Sequence, residues 1–246
     1  MREWLRKLFG RQAMPVLDQA GAAADQAGFE SLDDYKWMFP PSTVTDSAAW
    51  DRYWQDHLSH GVAGFVHLFV DDGELVDAMR ANGLRTVLCV GNGISQEPRA
   101  LAWAGFDVTS LDISPLAAKV ASDAAPPDDF LAGLVGRRSG GLNGRLEFVV
   151  GDLCDPACCP GPYDVVIDRK TLQLWPDEDR PLALQAVANR LASRGIFFSQ
   201  SHDGGWKPPA PRLHALEPWF VSQGWGFWGR QMRLTGRVAW LFTTTG

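Results

Sequence analysis

The 246-residue sequence predicts an α/β protein built on a doubly wound, mostly parallel sheet with helices on both faces. From residue 84 onwards, short apolar runs alternate with segments of helical periodicity, as expected when parallel strands are joined by right-handed helical crossovers. The first apolar run, LRTVLCV at 84–90, has no regular polar alternation, which is typical of a strand buried on both faces. Two further apolar runs near the end of the chain predict an antiparallel hairpin that closes the sheet.

The composition limits the kinds of partner that the protein could have. Lys and Arg total 23 and Asp and Glu total 29, so the net charge of −6 disfavours a generally basic nucleic-acid-binding surface. No apolar run approaches the roughly 18 residues of a membrane span. One cysteine lies in a predicted strand and three lie in one loop, which is not a disulfide framework. We therefore expect a cytoplasmic protein without nucleic-acid or integral membrane contacts.

A segment of helical periodicity precedes the first strand. The sequence TDSAAWDRYWQDHLSHG predicts a helix that is capped by Asp46 or Ser47 and ends at Gly61. If this helix covers the site as a lid, Tyr53 and Trp54 would line a substrate pocket; the alternative is that they pack in the core. The apolar face of the helix is made by residues at helical spacing, namely Ala49, Trp50, Tyr53, Trp54 and Leu58.

The chain is expected to divide into an N-terminal helical extension, residues 1–72, and a sheet domain, residues 73–246. The sheet domain begins with a helix at 73–82 that ends at Gly83. Four strands follow the first one before the closing hairpin. In order, these strands are FDVTSLDI, LEFVVGD, YDVVID and GIFFSQ, and the hairpin is formed by GWGFWGRQMR and RVAWLFTTTG.

Three helices are expected between these strands. The segment SQEPRALAWAG ends near Gly105, since glycine commonly follows the last helical residue. SPLAAKVASDAA begins with Ser114 as cap and Pro115 at the first helical position. Residues 177–194 show an apolar stripe that includes Leu191, which predicts the third helix.

Two glycines, Gly91 and Gly93, directly follow the first strand in VLCVGNGISQEP. A doubly wound sheet binds ligands beyond the carboxyl ends of its strands, where the strand order reverses. Glycines there let the backbone turn sharply and approach a ligand closely. A dinucleotide-binding turn has a third glycine three residues further on, where this sequence has Gln96. A pyrophosphate ligand is therefore disfavoured.

Acidic residues follow the next three strands. Asp112 lies about twenty residues beyond the glycines, the position of an acid that accepts both hydroxyls of a ribose. A carboxylate at Asp152 can accept from the exocyclic amine of an adenine, while Leu153 offers its N–H and its side chain to the ring. Asp168 ends the fourth strand. One acid at a strand end is more often a helix cap than a ligand, but the ordered series favours a nucleoside site.

The segments VLCVGNGIS, VTSLDIS, EFVVGDL and YDVVIDR resemble the successive motifs of class I S-adenosylmethionine-dependent methyltransferases, over about residues 84–246. The resemblance implies a Rossmann-like sheet of seven strands and makes residues 73–246 the methyltransferase domain. It also implies S-adenosylmethionine as cofactor, a nucleoside without phosphate, for which the third glycine is not required. The implied cofactor-binding residues are Gly91, Asn92 and Gly93 at the methionine portion, Asp112 at the ribose, and Asp152 and Leu153 at the adenine. Ile113 is also expected to contact the cofactor, and Asp168 could hold either an amine or the amino-acid tail of the cofactor.

The expected reaction is an in-line displacement at a sulfonium, so the protein mainly has to align the reactants and exclude water. On the resemblance, the end of the fourth strand faces the methyl group, which makes Asp168 and Arg169 candidate catalytic residues. Arg169 could hold an anionic substrate or form a salt bridge on the loop. His202, after the fifth strand, could act as a base or be a structural group. Trp175 is either a wall of the substrate pocket, with Tyr53 and Trp54, or an anchor at a helix start.

A narrower resemblance concerns the acceptor. The helix AWDRYWQDHLSHG and the segment IDRKTLQLWP are similar to thiopurine S-methyltransferases and related small-molecule enzymes. IDRKTLQ is also similar to the D-K-G-T-L segment of some protein-lysine methyltransferases, with Lys170 where that pattern has glycine. We expect methylation of a heteroatom in a small molecule, and a protein substrate is the alternative.

Other classes of protein fit the sequence less well. A nucleotide-binding oxidoreductase is disfavoured by Gln96 and by the closing hairpin, and a non-catalytic binding module by the intact glycines and Asp112. Cys154, Cys158 and Cys159 have a C-x3-C-C spacing that matches no common zinc pattern, so we expect no metal site.

Overall fold

The computed structural model describes residues 40–60, 73–126, 129, 131, 144–202, 225–227, 232–234 and 237–244. Contacts divide the chain after Phe39, and every described residue belongs to the unit Pro40–Gly246. Of the predicted N-terminal extension, the helix ahead of the sheet is described. Residues 1–39 and 61–72, with the predicted helix end at Gly61, lie outside the described residues.

Five helices and eight strands have defined bounds in this part of the chain. The helices are α1 (Ser47–Ser59), α2 (Gly73–Ala81), α3 (Glu97–Trp103), α4 (Pro115–Asp123) and α5 (Arg180–Ala188). The strands are β1 (Thr86–Val90), β2 (Asp107–Asp112), β3 (Leu146–Val150), β4 (Tyr163–Arg169), β5 (Leu191–His202), β6 (Trp225–Phe227), β7 (Met232–Leu234) and β8 (Arg237–Thr244). No helix among the described residues has the length and apolar character of a membrane span.

Strands β1 to β5 form a parallel sheet, which confirms the predicted α/β class. Their order is β3-β2-β1-β4-β5, so the chain extends the sheet first on one side of β1 and then, from β4, on the other. The order reverses between β1 and β4, where doubly wound sheets bind ligands. Val87 and Cys89 of β1 enter one hydrophobic cluster and Leu88 and Val90 another, which confirms that this strand is buried on both faces.

Beyond β5 the sheet continues with antiparallel strands. β8 pairs with β5, and the short strands β6 and β7 both pair with β8. The sequence predicts one strand at 224–233, whereas β6 lies within this segment, β7 lies at its end, and the residues between them lie outside the described part. The seven-strand count and the closing hairpin therefore remain predictions.

The boundary between α5 and β5 differs from the sequence prediction. A helix at 177–194 is wrong, because α5 ends at Ala188 and Leu191 is the first residue of β5. Leu191 is in register with Tyr163 of β4, whose N–H donates to the carbonyl of Arg190 at 2.7 Å. The hydrogen bonds to a strand distant in sequence outweigh the local helical periodicity of this segment.

Two predicted helix starts are confirmed by their caps. The Asp46 carboxylate accepts a hydrogen bond from the N–H of Ala49 at 3.0 Å, at the start of α1. The Ser114 hydroxyl accepts from the N–H of Ala117 at 3.0 Å, at the start of α4. Each cap satisfies a backbone donor that a helix start leaves without an intrahelical partner.

Candidate functional site

The carboxyl ends of β1, β2 and β4 meet at one edge of the sheet. Val90, the last residue of β1, is in register with Leu111 of β2 and with Asp168 of β4. The glycine turn, defined as residues 91–93, therefore begins beside the strand ends that carry Asp112 and Asp168. The sheet brings together the glycines and two of the three acids that the sequence indicates.

Both glycines of the turn are required by the backbone and by close packing. Gly91 has φ 58° and Gly93 has φ 56°, in the left-handed region that glycine favours. A Cβ on Gly91 would lie 2.1 Å from Oγ1 of Thr171, and a Cβ on Gly93 would lie 2.4 Å from Cζ2 of Trp54. The turn is thus covered by one side chain that follows β4 and by one from α1.

Two side chains hold the turn in this shape. The Asn92 amide Nδ2 donates to the carbonyl of Ser95 at 3.0 Å. The Thr171 hydroxyl lies 3.2 Å from the carbonyl oxygen of Val90 and 3.1 Å from that of Gly91, and it can donate to either. Sequence reasoning missed Thr171, although it follows the Asp168–Arg169 pair by two positions.

Asp112 links the ends of β1 and β2. Its carboxylate accepts the Gly93 N–H on Oδ2 at 2.6 Å and the Ser114 N–H on Oδ1 at 2.9 Å, and burial raises its pKa to about 6. Each carboxylate oxygen can accept a second hydrogen bond, so the group is able to receive ribose hydroxyls. The neighbouring carbonyl of Ile113 accepts a hydrogen bond from the hydroxyl of Ser47 at 2.8 Å, which ties α1 to the same strand end.

Asp51 of α1 belongs to this site, and sequence reasoning missed it. Its Oδ1 accepts a short hydrogen bond from the Ser114 hydroxyl and another from the Leu116 N–H at 3.0 Å. Asp51 lies three residues before Trp54 and so shares its helix face. That spacing is the signal that could have identified it, because an acid on an apolar helix face requires a polar partner.

Asp168 is buried and its oxygens are engaged by the protein. Ser199 donates its hydroxyl to Oδ2 at 2.6 Å, and the N–H groups of Thr171 and Leu172 donate to Oδ1 at 2.9 and 3.2 Å. Burial raises the pKa of Asp168 to about 6, although these hydrogen bonds favour the charged form. The carboxyl group thus shapes the turn after β4 and retains limited capacity for a further donor.

This burial predicts a pH-dependent effect of Asp168→Asn on stability. The folded-state pKa of about 6 exceeds the ordinary value of 3.8, so this group's contribution to stability falls as pH rises from 3.8 to 6. Asp168→Asn removes this ionisation. Between pH 4 and pH 7.5, its free energy of unfolding relative to wild type should therefore rise by about 2 kcal/mol. Urea unfolding at both pH values measures this difference.

Asp164→Asn is the matched control for that experiment. The Asp164 carboxylate accepts from the N–H groups of Arg85 and Thr86 at 2.8 and 2.9 Å, and these hydrogen bonds lower its pKa. Its stabilising effect is present above the ordinary pKa, so this variant should lose stability at pH 7.5 relative to wild type. A pH dependence of the same sign in both variants would contradict the assignment for Asp168.

Arg169 is held by Glu97 at the start of α3. Its Nε lies 2.7 Å from Oε1 and 2.6 Å from Oε2 of Glu97, and its Nη2 makes a further short contact with Oε1. Both side chains are buried, and the guanidinium carbon lies 4.8 Å from the ring centroid of Phe198. The salt-bridge alternative for Arg169 is therefore observed, with a partner in α3 that the sequence does not indicate.

The predicted adenine side lies after β3. Asp152 accepts the N–H of Cys154 on Oδ1 at 2.8 Å, and Leu153 is buried in the cluster that contains residues of β1 and β2. A Cβ on Gly151 would lie 2.3 Å from Sγ of Cys158, so this loop packs closely on the strand end. Within the described ranges, no group of three or more His, Cys, Asp or Glu side chains could hold a metal ion.

The candidate substrate aromatics occupy two places. Trp54 is buried against Ile94 and Ala117, and the Tyr53 ring lies against His57, with ring centroids 4.0 Å apart. Burial raises the pKa of Tyr53 and lowers that of His57. Trp175 is buried in a different cluster, between the sheet and α5.

Two further positions complete the predicted set. His202 is the last residue of β5, and its side chain lies outside the described part of the molecule. Lys170 has φ 69°, the left-handed conformation, at the position where the D-K-G-T-L pattern has glycine.

Comparison with known proteins identifies the region of the site. Residues 88–199 match the family model described as a methyltransferase domain. Over 111 residues the chain is 31% identical to the magnesium-protoporphyrin O-methyltransferase of Rhodobacter capsulatus, which is 45% of this chain and 43% of that protein. The chain thus matches less than half the length of this relative.

Two solved structures have a similar fold. The magnesium protoporphyrin IX methyltransferase of Synechocystis, solved with bound SAH, is 17% identical over 81% of this chain and 98% of that chain, with a TM-score of 0.54. The methyltransferase of Haloferax volcanii, solved in complex with the Trm112 methyltransferase activator, is 16% identical over 80% and 98% of the two chains, with a TM-score of 0.58.

The family match covers the glycine turn and the ends of β2, β3 and β4, where the predicted motifs lie. The structural similarity supports the same fold beyond this segment. Over residues 88–199 the chain is therefore similar to a methyltransferase domain, in agreement with the resemblance of its motifs to class I S-adenosylmethionine-dependent methyltransferases.

Proposed function

We propose that this chain is an S-adenosylmethionine-dependent methyltransferase that methylates a heteroatom of a small molecule. The observation that carries the proposal is that two glycines in the left-handed conformation lie beside the buried carboxylate of Asp112, at the point where the strand order reverses. The Gly93 N–H donates to this carboxylate. A nucleoside fits this place, because the carboxylate retains acceptor capacity where doubly wound sheets bind their ligands.

The proposed cofactor contacts follow the strand ends. Asp112 and Ile113 lie at the ribose and Asp168 lies near the amino-acid tail. Asp152 and Leu153 lie at the adenine, where the partly exposed loop after β3 supplies a carboxylate and an apolar side chain. The methionine portion is proposed to lie on the glycine turn, that is Gly91, Asn92 and Gly93.

The mechanism requires alignment more than acid–base chemistry. S-Adenosylmethionine, when bound, supplies a methyl group on a sulfonium with a neutral leaving group. The protein's part is to hold that group in line with the acceptor and to exclude water. We propose that α1, with Trp54 on Gly93, forms part of the cover of the site, and that Tyr53, Trp54 and Trp175 border the acceptor.

Polar residues at the acceptor side have separate proposed roles. Asp168 shapes the turn after β4, and Arg169 positions this turn relative to α3 through Glu97. His202 is the candidate base, which is needed only if the acceptor arrives protonated. The activity for which the Rhodobacter relative is named, O-methylation of magnesium-protoporphyrin, supports a small-molecule acceptor.

Protein-lysine methylation is the second candidate. It is favoured by the left-handed backbone of Lys170, since this is the conformation that the glycine of the D-K-G-T-L pattern would adopt most easily. Incubation with labelled cofactor and either a cell extract freed of small molecules or a metabolite extract freed of protein would separate the two candidates. Label in protein lysines alone would replace our first proposal.

We also infer the finer architecture from the family. β6 and β7 are proposed to be one interrupted strand that forms the closing hairpin with β8, which gives the seven-stranded sheet. Residues 73–246 are proposed as the methyltransferase domain. The acidic net charge of −6 supports a small-molecule rather than a nucleic-acid substrate.

Asp112→Asn tests the cofactor site directly. The variant should bind S-adenosylhomocysteine (SAH), the demethylated product of the cofactor, at least about tenfold more weakly, because an amide accepts less strongly and on one atom only. Isothermal calorimetry at pH 7.5 measures the affinity.

Asp107→Asn, at the opposite end of the same strand, is the matched control. Oδ2 of Asp107 lies 3.4 Å from Nη2 of Arg145 near the surface, so Asp107→Asn should leave the SAH affinity unchanged. Equal affinity of wild type and Asp112→Asn would refute the ribose assignment, and no SAH binding by the wild-type protein would refute the proposed function.

A further inference from the structure

The start of α4 joins two carboxylates from different parts of the chain. Ser114 donates its backbone N–H to Asp112 at 2.9 Å and its hydroxyl to Asp51. Asp51 also accepts the N–H of Leu116 at 3.0 Å, so a side chain of α1 supplies an acceptor for the first turn of α4. Asp51 lies outside the family match, which begins at residue 88.

Asp51 therefore connects α1 to the strand end that carries Asp112. The connection is reinforced by the Ser47 hydroxyl, which donates to the Ile113 carbonyl at 2.8 Å, and by Trp54, which covers Gly93. All of these contacts lie within two turns of α1 and within the immediate surroundings of Asp112. A shift of α1 would move the Ser114 hydroxyl and, through it, the donor that orients Asp112.

We propose that Asp51 is a positioning residue for the cofactor, which acts through Ser114 on Asp112 and couples the docking of α1 to ribose binding. The inference rests on the proposed function, because it requires that Asp112 binds the ribose. It assigns α1 a specific task at the site, beyond covering it.

The charge of Asp51 gives this coupling a measurable signature. Asp51 is the charged side chain that faces Asp112 from α1, while the glycine turn and the start of α4 present the N–H groups of Gly93, Ile113 and Ser114. Burial is the main cause of the raised pKa of Asp112. The negative charge of Asp51 opposes ionisation of Asp112 and raises that pKa further. Ribose hydroxyls donate to the ionised carboxylate, so SAH affinity should fall as pH drops through the pKa of Asp112.

Two variants of Asp51 separate its charge from its hydrogen bonds. Asp51→Asn retains an acceptor for Ser114 and Leu116 but removes the charge, so the pH midpoint of SAH binding should move down by at least about half a pH unit. Asp51→Ala removes the acceptor as well and should bind SAH at least about fivefold more weakly at pH 7.5. Calorimetry from pH 5 to 8 measures both effects, and urea unfolding confirms that the variants are folded.

Asp46→Asn is the matched control on the same helix. Asp46 caps α1 through the Ala49 N–H and is exposed, so its substitution changes a charge and a cap on α1 without altering the contact with Ser114. Its pH midpoint should equal that of wild type. If Asp51→Asn shares that midpoint and Asp51→Ala keeps wild-type affinity, the inference is overturned while the cofactor site stands. If wild type does not bind SAH, the proposed function fails first.

Discussion

Gly93→Ala is expected to weaken SAH binding at least about a hundredfold, the equivalent of roughly 2.7 kcal/mol. The residue has φ 56°, and a side chain in that conformation costs about 1–2 kcal/mol. The added methyl would also lie 2.4 Å from Cζ2 of Trp54, so either the turn or α1 has to move. Because the Gly93 N–H donates to Asp112, such a movement disturbs the proposed ribose acceptor.

Gly83→Ala separates backbone strain from displacement at the site. Gly83 has φ 68° and its Cβ would meet nothing within 4 Å, so this variant should lose stability but retain SAH affinity. In the double variant Gly93→Ala with Trp54→Ala, the methyl group has space. In a double-mutant cycle, this double variant should therefore bind SAH at least about threefold more tightly than additive effects of the two single substitutions would predict. Full affinity in Gly93→Ala would mean that the cofactor lies elsewhere.

Arg169→Ala is expected to lower the free energy of unfolding by about 3–5 kcal/mol. The side chains of Arg169 and Glu97 are 7% and 9% exposed, so removal of the arginine leaves a buried carboxylate without the charge that faces it. Loss of the contact with the Phe198 ring adds to the cost. Urea unfolding at pH 7.5 measures this loss of stability. We expect it to be the primary effect of the substitution, and any effect on turnover to be secondary to it.

Arg145→Ala and a second substitution at Glu97 complete this test. Arg145 is 90% exposed in its pair with Asp107, and its removal should cost less than about 1 kcal/mol. Adding Glu97→Gln to Arg169→Ala should recover at least about 1 kcal/mol, because the buried charge is then absent. If Arg169→Ala loses less stability than Arg145→Ala, the buried pair does not stabilise the fold, and Arg169 is available to hold an acceptor.

The strands that position the site could be predicted because their signals are local. The unbroken apolar run of β1 indicates burial on both faces, and β1 is paired on both sides in the sheet. Asp112 and Asp168 could be placed at one edge because parallel strands bring their carboxyl ends together. The caps Asp46 and Ser114 could be predicted because the donors they satisfy lie three residues away.

The partners of the site residues could not be predicted in the same way. Arg169 meets Glu97 across 72 positions, and Asp51 meets Ser114 across 63. Periodicity and spacing carry no information on which distant side chain fills a given space. The end of α5 was predicted wrongly for a related reason, since Leu191 joins β5 through its pairing with Tyr163.

The sequence by itself determined the α/β class, the order of the parallel strands along the chain and the edge at which glycines and acids converge, because each depends on contacts within a few residues or on strand direction alone. The tertiary structure alone decided which of those groups remain available. It pairs Arg169 with Glu97, engages Asp168 with Ser199 and places Asp51 beside Ser114. The physical reason is that a buried polar group requires a partner, and that partner is chosen by the packing of whole elements.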